Sequence, residues 1–449
     1  MADRKLTHVA LNEPESTAPA TPRRYRRAAD RTATRLGRVI LAYLALIVGI
    51  ITLAPFHFEP RVMHGWSTVW TWSDLVLNVI MFLPFGFVYQ RTRPRGAPVN
   101  WVRVTLLGLG MSGFIEGAQL FAPDRFTSMF DLATNTGGAV LGALMYRLLG
   151  RRVREDAAVQ SLALELPLMG LVYLLVPLCW LIGFGSETPG RLYLMLIPGV
   201  ITGTILGTVY AAYVRPAGGG VMWLVVTGVA WVLVSYLPAT RANVQVMSTG
   251  AALVLVAALL RSAYMLRPLP GDADLNRRFE LPTLRLILPA FTLYLCLSAL
   301  WPLGSAALPW QGVYALALPD ALLSKAAVFR ALEQVAAFTL VGYMGAEYHG
   351  RATQHRTQTA FRVVMWSLAA SAMLQVTRGF QPDAGASASL FGLTLAASAF
   401  GIVLYERQRD HVQALLKRKP ARPRLTLVTR TSRPDTPPAL ESDNVRRAG

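Results

Sequence analysis

An all-α, polytopic membrane helix bundle of about twelve transmembrane helices is the fold this sequence predicts, and three observations support it. Of the 449 residues, 53% are hydrophobic and only 15% charged, whereas a soluble domain carries roughly a quarter charged residues. Apolar runs long enough to cross a bilayer as helices, about 17–25 residues, recur between two polar ends. Lys and Arg gather in alternate connections, the pattern left when cytoplasmic loops retain positive charge.

Residues 1–37 are polar, with Pro14, Pro19 and Pro22 and the cluster Arg23, Arg24, Arg26 and Arg27. They read as a disordered basic cytoplasmic tail, too long and polar for the n-region of a cleaved signal peptide. Residues 38–150 form a first four-helix membrane domain, with apolar segments at about 38–55, 73–90, 101–122 and 130–149. A middle region, 151–284, has segments at about 163–184, 192–214, 221–237 and 244–265. A third, 285–405, has them at about 285–303, 325–346, 360–378 and 386–405. Residues 406–449, with Lys417, Arg418 and Lys419, read as a second disordered basic tail.

An even number of crossings puts both termini on one side. Loops of that side carry Arg91, Arg93 and Arg95, then Arg151, Arg152 and Arg154, then Arg261, Arg267, Arg277 and Arg278, then Arg351 and Arg356. Opposite loops carry the isolated Arg61, Arg125, Arg191 and Arg241. The expectation is a multi-pass membrane protein with both termini cytoplasmic. Trp66, Trp70, Trp72, Trp301 and Trp310 flank the apolar runs, at the headgroup depth that amphipathic rings favour.

The net charge of +19 needs no nucleic acid. Positive-inside loops and basic tails lying on anionic headgroups account for it, so the expected partners are membrane lipids, with other membrane proteins alongside. Cys179 and Cys296 each lie in an apolar run, where a thiol behaves as a small hydrophobe. His57 and His64, near Glu59, read as solvated loop residues rather than metal ligands. Phosphate-cradling Gly-rich loops, HExxH helices and GxSxG elbows are all missing from the sequence. No cofactor and no metal is expected, nor ATP-driven chemistry.

An internal repeat is legible. FLPFGF at 82–87 resembles FTLVGY at 338–343, and at the same offset of 256 Gln119 falls on Gln375. After a three-residue insertion FAPD at 121–124 matches FQPD at 380–383, and Gly142 and Tyr146 match Gly401 and Tyr405. In this register Arg330 replaces Asp74, Gln334 replaces Asn78, Ala372 replaces Glu116 and Leu390 replaces Asp131. A middle copy is fainter, around Pro198 and Gly199 and around Leu237 and Pro238.

The first unit concentrates polar residues where a lipid-facing helix has none. Asp74 and Asn78 are four apart, Glu116 and Gln119 three apart, and Asp131 and Asn135 four apart. Each pair therefore shares a helical face. Arg125 in the connection is the obvious counter-charge. Ionisable residues in membrane helices face protein or water because lipid exposure is costly. Two readings stay open: interhelical staples, or a ligand site at one membrane face. Pro84 and Gly86 read as a tolerated kink. Gly108, Ser112, Gly113, Gly137, Gly138 and Gly142 read as small residues for close helix approach.

DLVLNVIMFLPFGF (74–87) followed by IEGAQLFAPDRFTSMFDLATNTGGAVLG (115–142) resembles the VanZ-like family of bacterial membrane proteins. Asp74, Asn78, Pro84, Gly86, Glu116, Gln119, Arg125, Asp131, Asn135 and Gly138 carry the resemblance, over about a third of the chain. It implies a four-helix membrane domain linked in some members to glycopeptide resistance, notably to teicoplanin. It implies no particular reaction.

The leading expectation is a cell-envelope protein whose first unit binds a polar or lipid-linked envelope precursor or polysaccharide at Asp74, Asn78, Glu116, Gln119, Arg125, Asp131 and Asn135. The later units would then be scaffold or partner surface. The alternatives are a secondary transporter, for which repeated helices are a recurring plan, a membrane-embedded enzyme using the three carboxylates, and a scaffold without chemistry.

Overall fold

The computed structural model describes residues 22–416, apart from short stretches in the connections, the longest being 153–166, 266–279 and 315–324. The fold is all-α. In chain order the long helices are α1 (Pro22–Leu53), α2 (Trp72–Arg91), α3 (Trp101–Gln119), α4 (Met129–Arg152), α5 (Pro167–Phe184) and α6 (Leu196–Val209). They continue as α7 (Met222–Thr240), α8 (Val244–Tyr264), α9 (Glu280–Ala299), α10 (Lys325–Gly350), α11 (Arg356–Arg378) and α12 (Ala388–Leu416). Each coincides with one of the apolar segments read from the sequence. A 3-10 turn at Pro189–Met195 leads into α6.

Among the described residues six helical segments are long and apolar enough to cross a membrane, from Pro189–Ala212 to Ala388–Asp410, and three shorter apolar helices accompany them. The molecule is also apolar outside, with charged residues buried within its largely apolar core. Phe114, Leu260, Phe361, Trp366 and Met373 are exposed, while Glu116, Arg191, Glu333 and Glu347 are buried. Water would penalise that arrangement and a bilayer rewards it.

Both expected tails are shorter than predicted. Helix α1 runs back to Pro22 and α12 runs on to Leu416. The reason is intrinsic propensity: RRYRRAADRTATRLGR and ERQRDHVQALL are rich in Arg, Ala, Leu and Gln, good helix formers even where no apolar stripe exists. Pro22 opens α1, where its missing N–H costs nothing. Arg356 and Asp410, 2.8 Å apart, tie the extension of α12 to α11.

Helix pairing rests on glycine. A Cβ on Gly86 would sit 1.8 Å from the Ala139 carbonyl oxygen, and one on Gly142 would sit 2.0 Å from that of Leu83. Helices α2 and α4 thus touch backbone to backbone, in parallel. Gly138 belongs to the same seam, 2.4 Å from the Val79 oxygen. Gly137 has nothing within 4 Å, and Gly113 meets only the tip of Leu132. These two do not serve the close approach expected of them.

The same contacts recur in the last unit. Gly342 stands against the Ser398 carbonyl as Gly86 does against Ala139. Gly401 stands against Thr339 and Tyr343 as Gly142 does against Leu83 and Phe87. A side-chain pair joins Ser112 to Asn135, and another joins Ser371 to Thr394. Ser67 bridges to Ser128, and Val313–Tyr314 pairs in parallel with Ala386–Ser387.

These contacts run in a register different from that of the matched letters. Glu116 accepts from the Ser128 N–H, and Gln375 accepts from that of Ser387. Gln375 thus makes the kind of contact that Glu116 makes, although the match of letters pairs it with Gln119. The three-residue shift falls between the second and third helices of the unit. Matching one Gln letter to another hid this, because the shared function is acceptance of one amide hydrogen, which Glu and Gln both perform.

The middle region packs on its own account. Trp180 donates to the Val234 carbonyl at 2.9 Å, and Trp231 donates to that of Val172 at 3.1 Å, clasping α5 to α7. Gly203 and Gly207 of α6 lie against the Val254 and Ala258 carbonyls of α8. Pro238 is in the last turn of α7 rather than in the loop beyond it.

Candidate functional site

Successive helices alternate in direction, so α1 and α3 end, and α2 and α4 begin, at one end of the bundle. Thr71 and Asp74 form the start of α2: the Asp74 N–H donates to Thr71 Oγ1 at 3.2 Å, and that hydroxyl donates to Asp74 Oδ2 at 2.6 Å. This local cap satisfies a helix-terminal N–H. It leaves Asp74 exposed. One turn on, Asn78 Nδ2 donates to Asp131 Oδ1 at 2.9 Å, so α2 presents its amide to the first turn of α4. Asp131 lies within electrostatic range of both Asp74 and Glu116.

The other polar residues turn inward. Glu116 is 2% exposed, and its Oε2 accepts from the Ser128 N–H at 2.8 Å. It thereby fixes the loop that opens α4. Gln119 donates to the Thr52 carbonyl at 2.9 Å, tying α3 to the end of α1. Asn135 donates to Ser112 at 3.0 Å, and its own Oδ1 is buried without a partner. Glu59 in the first loop donates its N–H to the Phe121 carbonyl at 2.7 Å, closing the connection over the helix ends.

The predicted set therefore divides. Asp74 is exposed and Asn78 and Asp131 half-buried, bonded to Thr71 and to each other, whereas Glu116, Gln119 and Asn135 are buried. Pro84, Gly86, Gly138 and Gly142 lie deeper along α2 and α4 and hold the two helices together. Arg125, with its expected convergence on Glu116 and Asp131, lies outside the described residues, as do His57 and His64.

Residues 23–150 match the model of the VanZ/LLP1 family. Over this segment the chain is VanZ-like. No curated protein and no solved structure matches the chain. The VanZ-like unit includes the basic start of α1, which the sequence reading had set outside the domain.

A second polar cluster lies outside the VanZ-like unit, at the same end of the bundle. Arg191 Nη2 meets Glu333 Oε2 at 2.6 Å. Glu333 Oε1 also accepts from Tyr294 at 2.7 Å and Ser298 at 3.1 Å, and Arg191 Nη1 donates to the Ile182 carbonyl at 3.2 Å. Sequence reasoning took Arg191 for an isolated loop cation and passed over Glu333. The available signal was a Glu among Ala, Leu and Val in a largely apolar helix, which the cost of membrane burial marks for attention.

Proposed function

We propose that the VanZ-like unit binds a polar or lipid-linked molecule of the bacterial cell envelope through Asp74, Asn78 and Asp131. The site would face the extracytoplasmic side of the inner membrane. Binding would alter envelope polysaccharide or susceptibility to glycopeptide antibiotics. The observation behind this reading is the division within the polar set. Glu116 and Gln119 are committed to backbone groups, yet Asp74 and Asp131 stand accessible, and neither forms an ion pair with a basic side chain among the described residues. Asp131 is stapled to Asn78 through one oxygen, and Asp74 bonds only within its own helix cap among the described residues, so each keeps an acceptor oxygen to spare. Accessible carboxylates held in place by an amide and a cap instead offer negative charge to hydroxyl or amino groups of a ligand.

Teicoplanin susceptibility tests the reading. A host lacking this chain should become several-fold less susceptible when it is expressed, and Asp131→Asn or Asp74→Asn should abolish the protection at unchanged membrane levels. Glu116→Gln serves as the folding control, since it keeps an acceptor for Ser128. Full protection by both aspartate variants would refute the site.

A further inference from the structure

The contacts shared by α2–α4 and α10–α12 allow the polar positions of the two units to be compared one by one. Asp74 corresponds to Arg330, Asn78 to Gln334, Glu116 to Gln375, Gln119 to Arg378 and Asp131 to Leu390. Charge at this place is thus reversed. Three carboxylates in the VanZ-like unit give way to two guanidinium groups in the last.

The neighbouring acids neutralise them only in part. Glu333 is occupied by Arg191, Tyr294 and Ser298. Arg330 reaches Glu187 at 3.3 Å, with the two side chains 38% and 56% exposed, a contact that water screens to little effect. Arg378 lies within electrostatic range of both Arg330 and Glu333, but no carboxylate among the described residues bonds to it. Its Nη1 is shut off from solvent without a hydrogen-bond partner. Gln375 spends Oε1 on Ser387 and leaves the donor Nε2 buried and unpartnered. Buried polar atoms in native proteins are nearly always bonded, and like charges at a membrane helix end are costly. The unmet need is for an anion rich in acceptor oxygens.

We propose that Arg330, Gln375 and Arg378 bind a phosphate group. A phosphate has enough oxygens to serve two guanidinium forks and an amide N–H together, where a carboxylate has only two. Its negative charge offsets the paired cations. The source is a lipid headgroup, which lies at the depth of helix ends, or free phosphate. None of these residues belongs to the VanZ-like cluster, so the proposal stands apart from the function proposed above.

Thermal unfolding of the full-length protein in maltoside detergent and Tris chloride, both free of phosphate, provides the test. Inorganic phosphate and phosphatidic acid are titrated separately. The wild type should gain several degrees, saturably. A response to phosphatidic acid alone identifies a headgroup site, and a response to inorganic phosphate as well identifies a free-anion site. Arg378→Gln and Arg330→Gln should lose most of the gain. Without ligand, Arg378→Gln should melt at or above the wild type, because an unpartnered charge has gone. The proposal is overturned if neither probe shifts the wild type, or if both variants respond as it does. A ligand-free Arg378→Gln protein melting well below wild type would overturn it too, since the guanidinium would then be holding the fold.

Discussion

Arg191 and Glu333 meet at 2.6 Å across 142 residues of sequence, with their side chains only 3% and 1% exposed. The pair locks the turn before α6 to α10, and so joins the middle region to the last unit. Nearby, Phe184 and Phe329 pack at 5.7 Å between ring centroids, and Gly185 lies against the backbone of Arg330. Removing one partner of such a pair strands the other charge, at about 3–5 kcal/mol. Arg191→Gln or Glu333→Gln should therefore lower the melting temperature in detergent and deplete the protein from membranes. The double variant Arg191→Met/Glu333→Leu should recover much of the loss. Single variants that melt like the parent would show that the pair contributes nothing.

A glycine series makes the next prediction. At Gly142 and Gly401 an added Cβ would meet a backbone carbonyl oxygen at 2.0 and 2.1 Å, and backbone has no rotamer by which to yield. Gly142→Ala and Gly401→Ala should each separate their helix pair and abolish accumulation of folded protein. Gly137→Ala and Gly392→Ala meet nothing within 4 Å, and should be neutral or stabilising by about 0.5–1 kcal/mol. Equal behaviour of the two pairs, followed by size-exclusion profile after extraction, would contradict the seam.

The helices were legible because length and apolarity are written locally, residue by residue. Shared faces such as Asp74 with Asn78 were legible for the same reason. What a side chain does across a helix interface was not. Glu116 and Asp131 look alike in sequence, yet one is sealed against Ser128 and the other remains accessible, because the connection after Gln119 folds back over α3. Letter matching paired Gln375 with Gln119, although its contact with Ser387 is of the kind Glu116 makes with Ser128. Residues 22–37 and 406–416 were misread because polarity masks good helix propensity.

The bond from Asn78 to Asp131 predicts a measurable coupling. Asn78→Ala and Asp131→Ala remove the same contact. A double-mutant cycle on thermal stability should therefore show a non-additive term of about 0.5–2 kcal/mol, the span for interhelical hydrogen bonds in membranes. Asp74→Ala paired with Asn78→Ala should show less, since Asp74 bonds to Thr71 instead. Additive losses for Asn78 and Asp131 would mean that the two side chains do not meet in the membrane.

Orientation decides which compartment both polar clusters meet. They lie at the same end of the bundle, where α1, α3, α5, α9 and α11 finish and α2, α4, α10 and α12 begin. The connections at the opposite end carry the runs Arg91, Arg93, Arg95 and Arg151, Arg152, Arg154. Basic runs of this kind hold a loop in the cytoplasm, so the clusters should face outward. Alkaline phosphatase acquires its activity only where disulfides form, outside the cytoplasm. Fused after Trp66 or Glu187 it should be active, and fused after Arg95 or Arg267 inactive. The reverse pattern would turn the whole bundle over. It would place Asp74, Asp131, Arg330 and Arg378 at the cytoplasmic face, and an extracytoplasmic ligand for the VanZ-like unit would be excluded.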